Sequence, residues 1–305
     1  MKEISLNAYA KINLSIDVLR KRPDGYHEVL MVMEQIDLSD LVKIRWLEGE
    51  KTGISLTTNL SYLPDDNKNI AYKAAVLMTE TFQKNQMGQI EIEIEKKIPV
   101  AAGLAGGSAD GAAVLHGLNK LWGLKLDGKA LMELGTRLGA DIPFCIAGQA
   151  ALNEDLDLKQ DPMAGTCAVA SGIGEKLKLV KPLNTWILLS KPPICVSTAQ
   201  VYGGLDLSVL QEHPDTDELI AGINENNYYK ISKNMMNLLE NFSLKEYPII
   251  MYTKNKIIEE GKPYKALMSG SGPTVFAIYT SKRKGIMAYN KLKHLNKETF
   301  FVKTL

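Results

Sequence analysis

Alternating hydrophobic and polar positions predict β-strands along much of this chain. The pattern is clearest at residues 89–95, where isoleucines at every second position alternate with glutamates, as is typical of a strand with one buried face. Runs rich in β-forming residues predict further strands at 4–18, 29–36, 42–46, 54–58, 186–189, 266–268, 274–279 and 300–302. The tetrapeptide Arg-Pro-Asp-Gly at 22–25 predicts a turn between the first two strands.

Apolar residues at helical spacing predict helices between these strands. In the first half they cover an alanine-rich stretch from Asn69 to about residue 82, residues 112–121, and residues 128–138 before Gly139. In the second half they fall near 217–223, 231–242, 249–260 and 285–295. Residues 149–170 break the pattern, and Asn153–Pro162 within them is interpreted as an exposed loop or insertion. The turn at 172–175 is interpreted as the approximate domain boundary. Two β-α-β passes with antiparallel strands in the second half suggest a ferredoxin-like α+β layer.

Composition and charge narrow the class of protein. A length of 305 residues suggests about two domains, and 45% hydrophobic residues are enough for a packed core. With 36 Lys and Arg against 35 Asp and Glu, the chain has no global positive field for nucleic acid or an anionic membrane. Three cysteines without CxxC spacing and four histidines make zinc and disulfides poor expectations. Without a signal peptide or a long apolar run, a cytoplasmic protein is expected.

The segment at 99–111 carries the clearest chemical signal. Gly103, Gly106, Gly107 and Gly111 lie between a predicted strand and a predicted helix, so the backbone there can approach an anion closely. With Ser108 as N-cap and the partial positive charge of the first helical N–H groups, the segment predicts a phosphate cradle. Glycine content alone fits a plain connecting turn equally well. GxxxxGK[ST] and GxGxxG are absent here, so a P-loop NTPase and a Rossmann dehydrogenase fit poorly.

Several isolated polar residues add to this signal. Lys11 and Asn13 are two apart on a predicted strand, so they share a face and could contact a hydroxyl and a phosphate. Lys11 alone fits an edge-strand lysine in water just as well. Tyr26 and His27 would lie at a loop end, where His27 alone also fits a structural role. Asp141 lies among apolar neighbours and needs a partner, for which Lys11 is a candidate.

Together and in this order, the motifs resemble the GHMP kinase superfamily. Residues 99–111 are similar to its Gly/Ser-rich motif, and 10–14, 24–27, 138–144 and 268–274 are similar to the branch that phosphorylates a diphosphocytidyl methylerythritol. The resemblance runs from about residue 4 to 280. It implies an α+β fold of two domains. The N-terminal domain, 1–180, would resemble ribosomal protein S5 domain 2 and carry an insertion near 149–165, and a ferredoxin-like GHMP domain would cover 181–305.

The resemblance also implies an activity. It is the ATP-dependent phosphorylation of the 2-hydroxyl of the diphosphocytidyl methylerythritol, giving the 2-phosphate and ADP, in the non-mevalonate pathway to isoprenoid precursors. The implied cofactors are ATP and Mg²⁺, with Ser108 the best candidate for a metal ligand and no dedicated protein metal site. The implied partners are small molecules and neither nucleic acid nor a membrane, and the protein would be a monomer or a homodimer.

The family's functional positions transfer to this sequence residue by residue. Asp141 would be the catalytic base, and Lys11 would hold the hydroxyl and the transferring phosphate while keeping Asp141 ionised. The implied ATP-binding positions are Asn69, Lys96, Pro99, Ala101, Gly103, Leu104, Ala105, Gly106, Gly107, Ser108 and Ala109. The implied substrate-binding positions, among which His27 and Tyr202 would contact the cytosine, are Asn13, Tyr26, His27, Thr198, Tyr202, Gly270, Ser271 and Gly272.

The sequence departs from the family pattern at a few places. Ala109 stands where many relatives have Ser, and Gly111 stands where Ala is usual, which loosens the helix start by up to about 1 kcal/mol. The acidic stretch near 149–165 is interpreted as a tolerated surface insertion, with a regulatory or oligomer contact as the alternative.

Two other functions stay open at this point. One is a GHMP kinase for homoserine or mevalonate, against which Tyr26, His27 and Tyr202 argue, because those substrates have no base to stack. The other is an RNA-binding module, since the expected N-terminal fold is shared with a ribosomal protein. The near-zero net charge and the presence of both Lys11 and Asp141 argue against it.

Overall fold

Two long strands open the chain, and a tight turn joins them. In the computed structural model, which describes residues 1–49, 52–83, 88–210 and 212–305, these are β1 (Lys2–Lys21) and β2 (His27–Glu48). The predicted turn at 22–25 is confirmed: Gly25 has a φ of +89°, and the N–H of Gly25 donates to the carbonyl of Arg22 at 3.1 Å. The strands predicted at 29–36 and 42–46 are parts of the single strand β2.

The rest of the chain contains both helices and strands. No helix in these described ranges combines the length and the apolar character that a membrane crossing needs. Short 3₁₀ turns lie at Glu154–Leu156 and Leu207–Val209, and a π-helical turn, Ile257–Gly261, directly follows the helix Pro248–Lys256. In chain order the elements are β3 (Gly53–Thr58), α1 (Ile70–Thr81), β4 (Gly88–Glu95), α2 (Gly106–Trp122), α3 (Gly128–Thr136), α4 (Ile142–Leu152), β5 (Cys167–Gly172), β6 (Lys176–Leu179), β7 (Trp186–Lys191), α5 (Thr198–Gly204), α6 (Thr216–Glu225), α7 (Tyr228–Asn234), α8 (Glu240–Glu246), α9 (Pro248–Lys256), β8 (Lys265–Met268), β9 (Val275–Tyr279), α10 (Lys282–Leu292) and β10 (Glu298–Lys303).

The chain forms two compact units, each assembled from several stretches of sequence. The first unit comprises Met1–Ala10, Leu38–Ile98 and Ala105–Thr166. The second unit comprises Lys11–Asp37, Pro99–Leu104 and Cys167–Leu305. Both β1 and β2 therefore supply residues to each unit. The division into domains at 1–180 and 181–305 stays a prediction.

The first unit combines a sheet with four helices. β4 runs antiparallel to β2, from Leu41 opposite Glu95 to Glu48 opposite Gly88, and parallel to β3. The isoleucines of β4 are buried and its glutamates lie towards solvent, which confirms the half-buried strand that the alternation predicts. α2 packs against α1 and α4, so the helix that follows the glycine segment lies in a core.

The second unit contains a four-stranded antiparallel sheet in the order β10-β7-β9-β8. α10 packs on three of these strands, β7, β9 and β10. In the same unit, β2 pairs with β5 from Val29 opposite Gly172, and β5 pairs with β6. Antiparallel strands covered by helices confirm the α+β class, and the strands predicted in the second half are all present.

Two predictions about elements are wrong. The stretch 149–170 does not break the pattern at its two ends: residues 149–152 are the last turn of α4, where Gln149 is fully buried and donates to the carbonyl of Ala109 at 2.8 Å. Residues 167–170 belong to β5. The helix predicted at 231–242 is two helices, because residues 236 and 238 make backbone hydrogen bonds to Ile16 of β1 instead of continuing α7. The insertion near 149–165 stays a prediction.

Candidate active site

The first half of the glycine segment, 99–104, lies in the second unit and is fixed against the turn at 269–272. Gly103 has a φ of +72°, and a Cβ there would lie 2.1 Å from the carbonyl oxygen of Ser269, so only glycine fits. The Ser269 hydroxyl donates to the carbonyl of Gly103 at 2.9 Å. The N–H of Lys11 donates to the carbonyl of Leu104 at 3.1 Å. Of the predicted ATP positions in this half, Leu104 is thus bonded to Lys11, and Gly103 is bonded to the turn at 269–272.

The second half of the segment starts α2 in the first unit. Ala105 is the N-cap residue, with a left-handed φ of +58°, and no side chain caps the helix there. The prediction that Ser108 is the N-cap is wrong: Ser108 lies inside the first turn, after Gly106 and Gly107. Since alanine has no side-chain acceptor, the first N–H groups of α2 are left for another acceptor, which suits an anion. Ala109 is fully buried one residue further on.

A buried ion cluster lies beside the start of α2. The Nζ of Lys96 is 2.5 Å from Oδ2 of Asp40 and 2.6 Å from Oδ2 of Asp110, and all three side chains are at most 5% exposed. Oδ1 of Asp40 also accepts the N–H groups of Lys97 and Ile98. Burial raises the pKa of Asp110 to about 7, against the lowering effect of Lys96. Burial alone would lower the pKa of Lys96, but the two carboxylates outweigh it and raise that pKa.

Lys96, a predicted ATP position, therefore already has two ion-pair partners. The sequence reasoning missed both of them. Asp110 carried a signal, because it lies two residues after Ser108 in the motif. Asp40 carried none, since it is separated from its partners Lys97 and Ile98 by 57 and 58 residues.

Lys11 and Asn13 share one face of β1, as the period of two predicts. Lys11 is 3% exposed and Asn13 is fully buried, so Lys11 is not an edge-strand lysine in water. The Lys11 Nζ donates to Oδ1 of Asn13 at 2.7 Å, and the N–H of Gly270 donates to the same oxygen at 3.1 Å. The second unit therefore brings together Lys11, Asn13 and Gly270.

The turn at 269–272 depends on a residue that the sequence reasoning missed. Gly270 and Gly272 have φ values of +57° and +91°, which favour glycine. The Nδ2 of Asn237 donates to the carbonyls of Met268 and Gly270, both at 2.8 Å. Its Oδ1 accepts the N–H of Leu239 at 3.0 Å. Asn237 stands in the segment Met-Met-Asn-Leu-Leu, which the sequence reasoning placed inside a helix.

Two pairs of predicted substrate residues meet in the second unit. Thr198, at the start of α5, shares a hydrogen bond of 2.9 Å with Ser271, hydroxyl to hydroxyl. The rings of His27 and Tyr202 lie 5.3 Å apart with a tilt of 33°. Burial, and then the charge of Lys21, lowers the pKa of His27, which favours a neutral imidazole at neutral pH. Together these pairs offer ring faces and hydroxyl groups to a polar aromatic ligand.

The remaining predicted residues have simpler surroundings. Asp141, in the first unit, is the half-buried residue before α4, and its side chain does not cap that helix. Asn69 caps α1: its Oδ1 accepts the N–H of Ala71 at 3.0 Å, and its Nδ2 donates to the carbonyl of Pro64 at 2.9 Å. Tyr26 is 60% exposed.

In the part of the chain that the structure describes, the side chains near the glycine segment offer few ligands for a metal ion. Over the residues that the structure describes, no group of three or more His, Cys, Asp or Glu side chains is placed to hold one. Ser108 supplies a half-buried hydroxyl in the first turn of α2. Such a site suits Mg²⁺, which usually keeps waters and binds through few protein oxygens together with phosphates.

Two domain families of known proteins match this chain. The family described as the GHMP kinases N terminal domain matches residues 69–149, and the family described as GHMP kinases C terminal matches residues 213–297. The first match covers the glycine segment and Asp141. The second covers Asn237 and the turn at 269–272.

Curated relatives share much of the sequence over the full length. The chain is 47% identical to the 4-diphosphocytidyl-2-C-methyl-D-erythritol kinase of Alkaliphilus oremlandii, over 100% of this chain and 97% of that protein. It is 45% identical to the enzyme of the same name from Alkaliphilus metalliredigens, again over 100% of this chain and 97% of that protein.

Solved structures share the fold. A crystal structure of 4-(cytidine 5'-diphospho)-2C-methyl-D-erythritol kinase is similar with a TM-score of 0.79 at 26% identity, over 99% of each chain. Homoserine kinase from Cytophaga hutchinsonii is similar with a TM-score of 0.71 at 20% identity, over 100% of this chain and 95% of that one. At 20% identity, the similarity to homoserine kinase is evidence for the fold alone.

Proposed function

We infer that this chain, which belongs to the GHMP kinases and within them to the family of 4-diphosphocytidyl-2-C-methyl-D-erythritol kinases, phosphorylates the substrate in that family name. ATP would phosphorylate its 2-hydroxyl, giving the 2-phosphate and ADP, in the non-mevalonate pathway to isoprenoid precursors. The observation that carries the inference is the 45–47% identity to enzymes of that name over the whole chain.

The site itself favours a substrate with a base. His27 and Tyr202 lie ring to ring in the second unit, and the lowered pKa of His27 leaves its ring neutral and able to both donate and accept. We propose that these rings receive the cytosine, with Tyr26 at the edge. Thr198, Gly270, Ser271 and Gly272 would contact the rest of the substrate. Homoserine and mevalonate have no base for such rings.

We propose that the segment at 99–111 wraps the ATP phosphates. Support comes from the start of α2, where Ala105 provides no side-chain cap and the first N–H groups suit an anion. Asn69 and Lys96 would lie towards the adenosine. Because the Lys96 ammonium is already paired with Asp40 and Asp110, it would contribute one remaining N–H rather than a whole unneutralised charge.

Phosphoryl transfer depends mainly on positioning and charge stabilisation. Asp141 would accept the proton of the 2-hydroxyl as its oxygen bonds to the γ-phosphorus and the bond to the ADP oxygen breaks. A base in such a position typically contributes about 10²–10⁴-fold. Lys11, whose ammonium Asn13 orients, would stabilise the charge on the transferring group, and Asn13 would contact the same region.

Mg²⁺ would accompany ATP, with the hydroxyl of Ser108 as its protein ligand. When bound, the ion neutralises charge on the phosphates. We further propose that the protein works in the cytoplasm as a monomer or a homodimer. Its partners would be small molecules, with no role for nucleic acid.

A substrate panel tests this function. Each reaction contains the protein, ATP, Mg²⁺ and one candidate substrate, and the release of ADP is measured. The candidate substrates are 4-diphosphocytidyl-2-C-methyl-D-erythritol, homoserine and mevalonate. We expect turnover of the cytidyl substrate alone, with the 2-phosphate as product. If homoserine or mevalonate were phosphorylated and the cytidyl substrate were not, the inferred specificity would be wrong.

A further inference from the structure

We propose that Asn237 is a positioning residue for phosphoryl transfer: it holds the turn at 269–272 so that Gly270 and Asn13 fix the ammonium of Lys11. The inference rests on the proposed function, in which Lys11 stabilises the transferring phosphoryl group. All four residues lie in the second unit, and three of them are almost completely buried, Lys11, Asn13 and Asn237.

Both ends of the Asn237 amide bond to the backbone around it. Its Nδ2 donates to the carbonyls of Met268 and Gly270 at 2.8 Å each, and its Oδ1 accepts the N–H of Leu239 at 3.0 Å. The side chain is 2% exposed, so water does not readily replace it as the donor to those carbonyls. One side chain thereby fixes the end of β8 and the left-handed residue that follows in the turn.

The turn at 269–272 also fixes the side chain of Asn13. The N–H of Gly270 and the Nζ of Lys11 donate to the same oxygen, Oδ1 of Asn13, at 3.1 and 2.7 Å. A carbonyl oxygen has two lone pairs, and these two donors occupy both. The orientation of the amide is then set, with Nδ2 directed at the sulfur of Met31 at 3.6 Å. Moving Gly270 would therefore release one of the constraints on Lys11.

Asn237 is itself anchored to the strand that carries Lys11. The N–H of Ile16 donates to the carbonyl of Met236 at 2.8 Å, and the N–H of Leu238 donates to the carbonyl of Ile16 at 3.0 Å. The hydrogen bonds thus form a closed ring that leaves β1 at Ile16, passes through Asn237 and Gly270, and returns to β1 at Asn13. A closed ring transmits a displacement in Asn237 directly to the position of Lys11.

The test is a double-substitution cycle on the active enzyme. We expect Asn237→Ala to lower kcat by about 10- to 100-fold, since a displacement of about 1 Å at a reacting group costs about 10²-fold. The KM values for ATP and for the cytidyl substrate should change little, because the interaction acts in the transition state. In an Asn13→Ala background the same substitution should lower kcat by less than about twofold, because residues that act through one another are not additive.

Asn153 provides a matched control. It is also a buried asparagine that joins backbone segments: it accepts the N–H of Asn7 and donates to the carbonyls of Asn7 and Gln149. Asn153→Ala should lower the melting temperature as Asn237→Ala does, but leave kcat within about twofold, because its hydrogen bonds go to Asn7 and Gln149 and not to Lys11, Asn13 or the turn at 269–272. Circular dichroism checks the fold, and Asn237→Ser, which keeps one donor, replaces Asn237→Ala in the cycle if the latter is unfolded.

Two results would overturn the inference in an active enzyme. One is a folded Asn237 variant whose kcat equals that of the unsubstituted protein. The other is a pair of effects at Asn13 and Asn237 that simply multiply, as for a purely structural residue. Absence of turnover by the unsubstituted protein would instead overturn the proposed function, and this inference with it.

Discussion

At the scale of single residues, Asp141 is a carboxylate at a helix start that does not cap the helix. Aspartate is among the best N-cap residues, yet Asp141 has helical backbone angles and its side chain makes no capping bond to α4. We expect Asp141→Asn to lower kcat by about 10²-fold or more, because the amide cannot accept the proton. The affinity for ATP should stay unchanged, as measured by equilibrium binding of a fluorescent ATP analogue.

Asp127 serves as the control for this substitution. It is the N-cap of α3, and its Oδ1 accepts the N–H of Ala130 at 2.8 Å. Asparagine caps helices as well as aspartate does, so Asp127→Asn should change neither stability nor kcat appreciably. Equal activity of Asp141→Asn and the unsubstituted protein would exclude Asp141 as the base.

A second residue, His116, links stability to pH. It is fully buried on α2, and its Nε2 lies 3.1 Å from the carbonyl oxygen of Ile146. Burial lowers its pKa from 6.5 to about 4, against smaller opposing effects of Ile146 and Asp161. Between these two pKa values, His116 is therefore protonated in the unfolded chain but neutral in the native state. The contribution of His116 to the free energy of unfolding is fully present above pH 6.5 and should fall by about 3 kcal/mol as the pH drops towards 4.

His116→Gln isolates this effect. Glutamine keeps an N–H for the carbonyl of Ile146 but cannot take up a proton. The raised pKa of Asp110 acts in the opposite sense over part of the same range, and it is present in both proteins, so the difference between them reports on His116. Urea unfolding at pH 7, 6 and 5 should show the variant losing less stability. If the free energy of unfolding changed equally with pH in the two proteins, His116 would not be a buried, neutral histidine in the native state.

Site residues could be predicted from the sequence where the chain itself carries the geometry. Lys11 and Asn13 share a face because they are two apart on a strand, and the structure joins them by a hydrogen bond. Asp40 and Asn237 could not be found this way. The partners of Asp40 lie 57 and 58 residues away, and the carbonyls that accept from Asn237 lie 31 and 33 residues away, so only the folded chain brings them together.

At the scale of elements, the packing of α1 on α2 explains why a glycine suits position 111. A Cβ at Gly111 would lie 2.7 Å from Cγ2 of Ile70. Gly111→Ala should gain about 1 kcal/mol of helix propensity but lose about 1–3 kcal/mol to the overlap, since the β-branched Ile70 has little rotamer freedom. We expect a net loss of about 1 kcal/mol in thermal or urea unfolding.

Ile70→Leu provides the compensating change, because leucine has no Cγ2 at the β-carbon. In that background Gly111→Ala should stabilise the protein. Gly107→Ala on the same helix is the control for propensity alone, since its Cβ would meet Ile70 at an ordinary 3.5 Å. If Gly111→Ala stabilised the protein with Ile70 present, the close packing of the two helices would be refuted.

Local periodicity predicted most strands and helices, and it failed where a distant strand competes for the backbone. Apolar spacing across 231–242 suits one helix, but hydrogen bonds to Ile16 interrupt it between α7 and α8. The predicted break in the pattern at residue 149 begins too early, because Gln149 is polar yet buried, and its side chain donates to the carbonyl of Ala109. In each case the deciding partner is far away in the sequence.

At the scale of the whole molecule, a fragment ending at residue 180 would lack the partners of its own strands. Within the second unit, Oε2 of Glu34 accepts the N–H of Leu183 at 3.1 Å, and the carbonyl of Gln35 accepts the N–H of Leu305 at 3.1 Å. Ile16 depends in the same way on the segment around Asn237. We therefore expect fragments 1–180 and 181–305, produced separately, to show no cooperative thermal transition by circular dichroism.

Cutting the chain at the same position while keeping both fragments together is the control for this experiment. It shows whether a fragment fails because its chain is broken or because the other fragment is missing. The full chain carries an exposed lysine, Lys181, at this position. A protein nicked there, or the two fragments refolded together, keeps every hydrogen bond between β1 or β2 and residues after 181. We expect either form to regain a cooperative transition and kinase activity. A cooperative transition in isolated 1–180 would mean that β1 and β2 are stable without these partners, and that the family's two domains fold independently.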